Sequence, residues 1–230
     1  MNRHDLLARS PLFRDVPPEA IRMVEQAVTE ASYAQHDVIV SQEATGEALY
    51  FITQGVARVS RVGVGGRERI LGFAYAPAVI GEASVLTSEE RSATVTAETP
   101  VRALMLYRDH FRQVLTRHPQ VLWNLAGILA ARISHQNDEL IAFGVSTEAA
   151  CAYVLLGLYR QRLAAGAENP ARIPLTQADL TLRLSTSRET VTRVLRRLEK
   201  EGYVKTETGA VRVADPDGLD ALVFGIEEQV

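Results

Sequence analysis

A single cysteine, Cys151, stands in 230 residues. That excludes an internal disulfide framework and an iron–sulfur cluster held by the cysteines of one chain. Among its apolar neighbours Cys151 reads as a small buried side chain. Charge of one sign is lacking as well: 25 Lys and Arg stand against 28 Asp and Glu, a net charge of −3. Bulk attraction to nucleic acid is excluded, so any DNA contact needs a local basic patch. Long apolar runs are missing. The opening MNRHDLLARSPLF has no unbroken apolar core of the signal-peptide kind, and the uncharged stretch from Ile70 to Gly81 is short and broken by Pro77. Neither a leader nor a membrane span is expected, which implies a cytoplasmic protein. His4, His36, His110, His118 and His135 show no metal-ligand spacing as a set. No nucleophile–base pair or Walker-type loop is present, so no enzyme is expected.

What remains is ordinary globular usage, 47% hydrophobic and 23% charged, arranged unevenly. Pro17 and Pro18 sit where a helix would begin, followed by Ile21, Val24 and Val28 at helical spacing. From Val38 to Leu106 short runs such as ALYFI, ARVSRV, ERILGF and ATVTA are divided by Gly46, Gly55, the Gly63–Gly66 cluster and Gly81. That pattern predicts a small antiparallel roll. The segment from Arg117 to Phe143 then predicts a helix. Leu122, Leu129, Gln136 and Phe143 fall every seventh residue, with Ala126, Ile133 and Leu140 between them. This heptad seam suits pairing with a second copy of the chain, while Leu125 and Ile128, off the seam, suit packing on the roll. Gln136 places an amide in the seam, either as a register-setting polar residue or as a ligand contact. Gly144 is expected to end the helix and Ser146 to cap the next, which makes Gly144–Ser146 the candidate hinge.

The segment LTQADLTLRLSTSRETVTRVLRRLEKEGYV carries the strongest pattern. Thr176 with Asp179 and Thr186 with Glu189 read as capping boxes opening two helices separated by a tight turn. In the second helix Val191, Val194, Leu195 and Leu198 form an apolar face, opposite Arg188, Glu189, Thr192, Arg193 and Arg196. Such a face suits a major groove. Arginine donates two bonds to the acceptor edge of guanine, and glutamate accepts from the cytosine amine. Between Arg172 and Arg212 nine Lys/Arg outnumber five Asp/Glu, the local basic patch that the whole chain lacks. After Gly202, the runs Tyr203–Lys205 and Val211–Val213 around Thr208–Gly209 predict a hairpin wing.

SRETVTRVLRRLE and its surroundings resemble the recognition helix of the CRP/FNR regulator family, the family of the catabolite activator protein. The likeness extends to SPLF–VPPEA, EALYFITQGVARVSR, IGEAS…RSATV and the long helix. It implies an α+β fold: an N-terminal β-roll (double-stranded β-helix) sensor at 1–117, a dimerisation helix at 118–144 and a winged helix-turn-helix at 145–230. By resemblance Arg188, Glu189 and Arg193 read bases in a palindromic site with TGTGA-like half-sites, and Thr176, Gln177, Ser187, Thr192 and Arg196 complete the DNA contacts. The implied partners are double-stranded DNA, a second copy of the chain and RNA polymerase. The family's turn glycine is replaced by Ser185.

Gly81-Glu82-Ala83-Ser84 followed by Arg91-Ser92 is chemically suited to a cyclic phosphate. Gly81 lets the backbone approach, Glu82 can accept from a ribose hydroxyl, Arg91 offers a forked cation and Ser92 a further donor. The spacing resembles the phosphate-binding cassette of cyclic-nucleotide domains, and implies that no cofactor is required and that cAMP or another cyclic nucleotide is the effector. Aligned through Arg132, the base-facing positions are Gln136 and Asn137, where cAMP-binding members of the family carry Thr-Ser. Both amides can bond a purine edge, with a different donor and acceptor pattern. The loop to Arg91 is one residue shorter than in the catabolite activator. The same fold sensing cyclic di-GMP or haem, or acting without a small molecule, stays open. The expected mechanism is an effector beside the seam that rotates the paired helices and re-aims the DNA modules through Gly144.

Overall fold

A computed structural model describes residues 3–224; the ends of the expected first and last domains, 1–2 and 225–230, lie outside the described residues. The chain folds as two compact units that divide between Arg132 and Ile133.

The first unit opens with α1 (Arg3–Ala8), a 3-10 turn (Pro11–Phe13) and α2 (Pro18–Ala27). Pro17 and Pro18 start α2 as expected, because a missing amide costs nothing in a first turn. Eight strands follow: β1 (Thr29–Tyr33), β2 (Val38–Val40), β3 (Ala48–Gln54), β4 (Val56–Val62), β5 (Glu68–Tyr75), β6 (Ala78–Ile80), β7 (Thr94–Ala97) and β8 (Val101–Tyr107). The short helix α3 (Glu82–Thr87) interrupts them after β6. They form two antiparallel sheets, ordered β1-β8-β3-β6 and β2-β7-β4-β5.

Side-chain alternation explains how one sheet serves two cores. Leu49 and Phe51 of β3, with Leu104 and Leu106 of β8, join a cluster made with Leu7, Leu12, Ile21 and Val24 of the leading helices. Ile52 of β3 and Val101 and Ala103 of β8 point the other way, toward Ile39, Ala57, Val95 and Ala97 of the facing sheet. At about 25 cal/mol per Å² of apolar surface, these two clusters are the main force holding the roll. After β8 come α4 (Arg108–Arg117), which the sequence pattern did not reveal, and the long helix α5 (Pro119–Val145). Val121 and Leu125 are buried against the first cluster, with Ile128 and Leu129 partly so. The off-seam reading of Leu125 and Ile128 therefore holds.

The second unit takes the end of α5 together with α6 (Thr147–Ala164), β9 (Arg172–Ile173), α7 (Gln177–Leu184), α8 (Arg188–Lys200), β10 (Val204–Glu207), β11 (Ala210–Val213) and α9 (Pro216–Phe224). Its centre is α6, whose buried run from Ala149 to Leu156 leaves no polar face, as befits a helix packed on several sides. It touches α7, α8, α9, β9 and β11. The wing is the antiparallel pair β10–β11, closed at Gly209 with φ +69°, and β9 adds a third strand to it.

Two expectations are corrected here. Gly144 does not end α5, which runs on to Val145; Ser146 caps α6 as expected, its side chain accepting from the Ala149 amide. The cap of α8 is Ser187, accepting from the Thr190 amide, and not Thr186. Ser185 takes a left-handed conformation (φ +51°), and the Thr186 amide is spent on the Thr181 carbonyl, so α8 begins one residue later.

Candidate nucleic-acid interface and ligand cassette

The reading helix is built by the sequence in three local steps. The capping box at Thr176 and Asp179 fixes the start of α7: the Asp179 amide donates to Thr176 Oγ1 at 3.1 Å, and the Thr176 amide donates to Asp179 Oδ2 at 2.8 Å. Ser185 makes the turn, and Ser187 starts α8. Val191, Val194, Leu195 and Leu198 are buried as expected, and Arg188, Glu189, Arg193 and Arg196 are exposed on the other side. With Thr192 those four line one open depression. Thr192 Oγ1 lies 2.9 Å from the Arg188 carbonyl and 3.3 Å from Gln177 Oε1, which brings the second helix of the motif into contact with the first.

Electrostatics separates the arginines of this unit into two groups. Arg172 and Arg212 both donate to Glu207, whose carboxyl they hold below the usual range, the Arg212 hydrogen bond being the larger cause. Arg183 grips Glu139. Arg197 pairs with Glu148 at 3.0 Å and Glu201 at 3.2 Å. Arg188, Arg193 and Arg196 make no ion pair among the described residues. Glu189, on the same face, is held ionised by its own backbone amide first, then by the Ser187 hydroxyl and Arg188. The face therefore presents three free guanidinium groups beside one carboxylate, the donor and acceptor set of a base reader. Thr176 is less available. Its hydroxyl is committed to Asp179 on both sides, and Ser187 Oγ accepts from the Thr190 amide at 3.2 Å and lies 3.1 Å from Thr190 Oγ1.

The cassette lies in the first unit. Gly81 has φ +79° at the start of α3. Glu82 and Arg91 are buried, Ala83 and Ser92 exposed. Arg91 donates to the carbonyl of Gly81 at 2.9 Å and to that of Ala48 at 2.5 Å. Burial lowers its pKa, as does Arg108, against the opposing pull of Tyr50 and Glu82. Glu82 is bonded by Arg132, which also donates to the Val79 carbonyl at 2.8 Å. The structure thus brings Gly81 with Arg91 and Glu82 with Arg132 into two hydrogen-bonded pairs at the start of α3. Gln136 and Asn137 are exposed on α5 and belong to the second unit. A guanidinium has five N–H donors, so Arg91 retains capacity for a phosphate after its two carbonyls are satisfied. The residues present fit an anionic ligand carrying a hydroxyl.

Sequence spacing gave no sign of two contacts in the second unit, Glu139 with Arg183 and His135 with Tyr153. A signal for the first was available: Arg183 sits among Leu180 and Leu184 on the apolar side of α7 and is buried with them.

Among the described residues no helix is long and apolar enough to cross a membrane, and no cluster of His, Cys, Asp and Glu could hold a metal ion. Residues 30–118 match the cyclic nucleotide-binding domain family, and residues 149–222 match the Crp-like helix-turn-helix domain family. The chain is 35% identical to the cyclic AMP receptor protein of Thermus thermophilus, over 94% of this chain and 98% of that one. It is 27% identical to the CRP-like cAMP-activated global transcriptional regulator of Mycobacterium tuberculosis, over 94% and 97%. Among solved structures, the Thermus thermophilus catabolite activator protein aligns with a TM-score of 0.53 at 32% identity, covering 94% of this chain and all of that one.

Proposed function

Because the chain belongs to the CRP/FNR family of transcription regulators, with a cyclic nucleotide-binding domain and a DNA-binding helix-turn-helix, we propose that it binds palindromic DNA as a homodimer in the cytoplasm under control of a cyclic nucleotide. Arg188, Glu189 and Arg193 read TGTGA-like half-sites, and Gln177, Ser187, Thr192 and Arg196 hold the phosphates or the groove wall. The observation that carries this reading is the separation of charges in the second unit. Every arginine that faces a protein carboxylate is neutralised, while the three on the exposed side of α8 are left for a polyanion. The exposed seam residues Leu122, Ile133 and Leu140 support the homodimer, since a free helix does not keep such a stripe in water without cost. Contact with RNA polymerase belongs to the same reading by family likeness.

In the cassette, Glu82 and Arg91 take the ribose and phosphate of a cAMP-like effector, with Arg132 beside them and Gln136 and Asn137 on the base side. A second reading rests on a specific observation: Glu82 already has Arg132, and Arg91 already has two carbonyls, so the cassette is satisfied without a ligand. Selection of the full-length protein on random duplex DNA, with and without cAMP, decides between them. A palindrome enriched only with cAMP supports the first reading. The same palindrome in both arms supports the second, and no enrichment in either arm rejects sequence-specific binding.

A further inference from the structure

Arg183 is one of three buried charged side chains among the described residues, at 8% exposure, and it lies on the first helix of the helix-turn-helix, next to Leu184 and one turn from Leu180. Its guanidinium meets Glu139 of α5 in a fork: Nη2 donates to Oε2 at 2.7 Å, and Nη1 donates to Oε1. One turn earlier on α5, His135 meets Tyr153 of α6. The Tyr153 hydroxyl lies 2.6 Å from His135 Nδ1 and 2.9 Å from the His135 carbonyl. A phenol has one proton, so both contacts are satisfied together when Nδ1 carries a hydrogen and the phenol donates to the carbonyl. The imidazole lies over Gly157 of α6, where a Cβ would stand 3.6 Å from its Cε1.

Burying two charges costs several kcal/mol each, and well-packed apolar residues at such a site are often as stable or more so. With leucines on either side of Arg183, stability alone favours a third apolar residue. What a forked ion pair adds is direction: two parallel bonds accept one orientation of α7 against α5.

We propose that Glu139 and Arg183 are positioning residues for DNA recognition, a two-point grip that makes residues 133–145 of the long helix part of the DNA-binding body. Since α7 packs on α8, the grip sets the attitude of Arg188, Glu189 and Arg193. Gly144, the expected hinge, then lies inside the gripped segment. Helix α5 carries Arg132, bonded to Glu82 of the cassette, immediately before the gripped segment. The proposal rests on the DNA-reading function above.

The test uses the full chain and compares affinity for its selected palindrome with affinity for random DNA. Wild type is set against Glu139→Leu/Arg183→Met and against the exchanged pair Glu139→Arg/Arg183→Glu. The apolar pair is expected to keep its melting temperature and to lose roughly tenfold in the specific-to-random ratio, the size of a typical coupling between sites. The exchanged pair is expected to regain most of it. An apolar pair that reads the palindrome as well as wild type overturns the proposal, and so does an exchanged pair that folds and stays as poor as the apolar one. Should the exchanged pair not fold, Arg183→Lys keeps the charge without the fork; a wild-type ratio there overturns the two-point grip, and a reduced one supports it. If wild type itself prefers no sequence, the DNA-reading function fails first. Amide exchange at 133–145 then decides the grip alone: faster exchange in the apolar pair supports it, and unchanged exchange overturns it.

Discussion

A Cβ on Gly81 would stand 2.5 Å from Arg91 Nη1, the same nitrogen that donates to the Gly81 carbonyl. Together with φ +79°, this closes the position to any side chain. Gly81→Ala is expected to destabilise the first unit by more than about 1 kcal/mol, the usual scale for alanine forced to positive φ. It should also displace the Arg91 guanidinium, and with it any phosphate. Urea unfolding checks the first effect and calorimetry with cAMP the second. An unchanged urea midpoint contradicts the account of this loop.

The seam on α5 is tested by charge. Leu140 is 70% exposed and Ile133 is 59% exposed in the single chain. Ile133→Asp and Leu140→Asp should therefore leave the chain folded. Placed against their own copies across a two-fold seam, the new carboxylates repel. Sedimentation at micromolar concentration is expected to show a dimer for wild type and a monomer for the double variant, with unchanged circular dichroism. A double variant that still sediments as a dimer places the interface elsewhere.

Tyr153 titrates late. Burial first, then the carboxylates of Asp138 and Glu139, push its hydroxyl up to about 12, against the opposing influence of Arg183 and Arg160. Folding favours the neutral phenol, so its stabilising contribution is complete below the ordinary value of 10.0 and is lost as pH rises through about 12. Tyr153→Phe is expected to cost about 1 kcal/mol at neutral pH, the worth of an ordinary hydrogen bond. That gap should shrink as the pH climbs through this alkaline window. Tyrosinate absorbance reads the same event. Wild type and variant should match up to about pH 11 and part by one phenolate above it. A difference already present at pH 10 contradicts the buried, bonded phenol.

Much of this was legible where the pattern is local. The ALYFI run that becomes β3, the apolar face of α8 and the Thr176–Asp179 box each depend on residues within a few positions of one another, and each is found as read. Errors came where two local signals compete. Thr186 and Ser187 both offer a hydroxyl to cap α8, and the left-handed turn at Ser185 decides for the second. Gly144 reads as a stop, yet nothing requires a left-handed residue there, and α5 continues one residue further to the Ser146 cap. What no local pattern reveals is pairing across long stretches of chain: Arg132 with Glu82, His135 with Tyr153, Arg183 with Glu139. Spacing cannot say which of 25 cations meets which of 28 anions; only the packed fold does. Within the second unit, that pairing leaves out Arg188, Arg193 and Arg196 on the exposed side of α8.

That face carries the central claim, and one comparison tests it most directly: Arg188→Ala and Arg193→Ala, each measured on the selected palindrome and on random duplex of equal length at one salt concentration. Both side chains are exposed, so folding should not change. Each substitution is expected to cost roughly 1–3 kcal/mol on the palindrome, and far less on random DNA, with discrimination relaxed at one base of each half-site. Equal losses on both DNAs would make these arginines phosphate contacts and contradict the base-reading account.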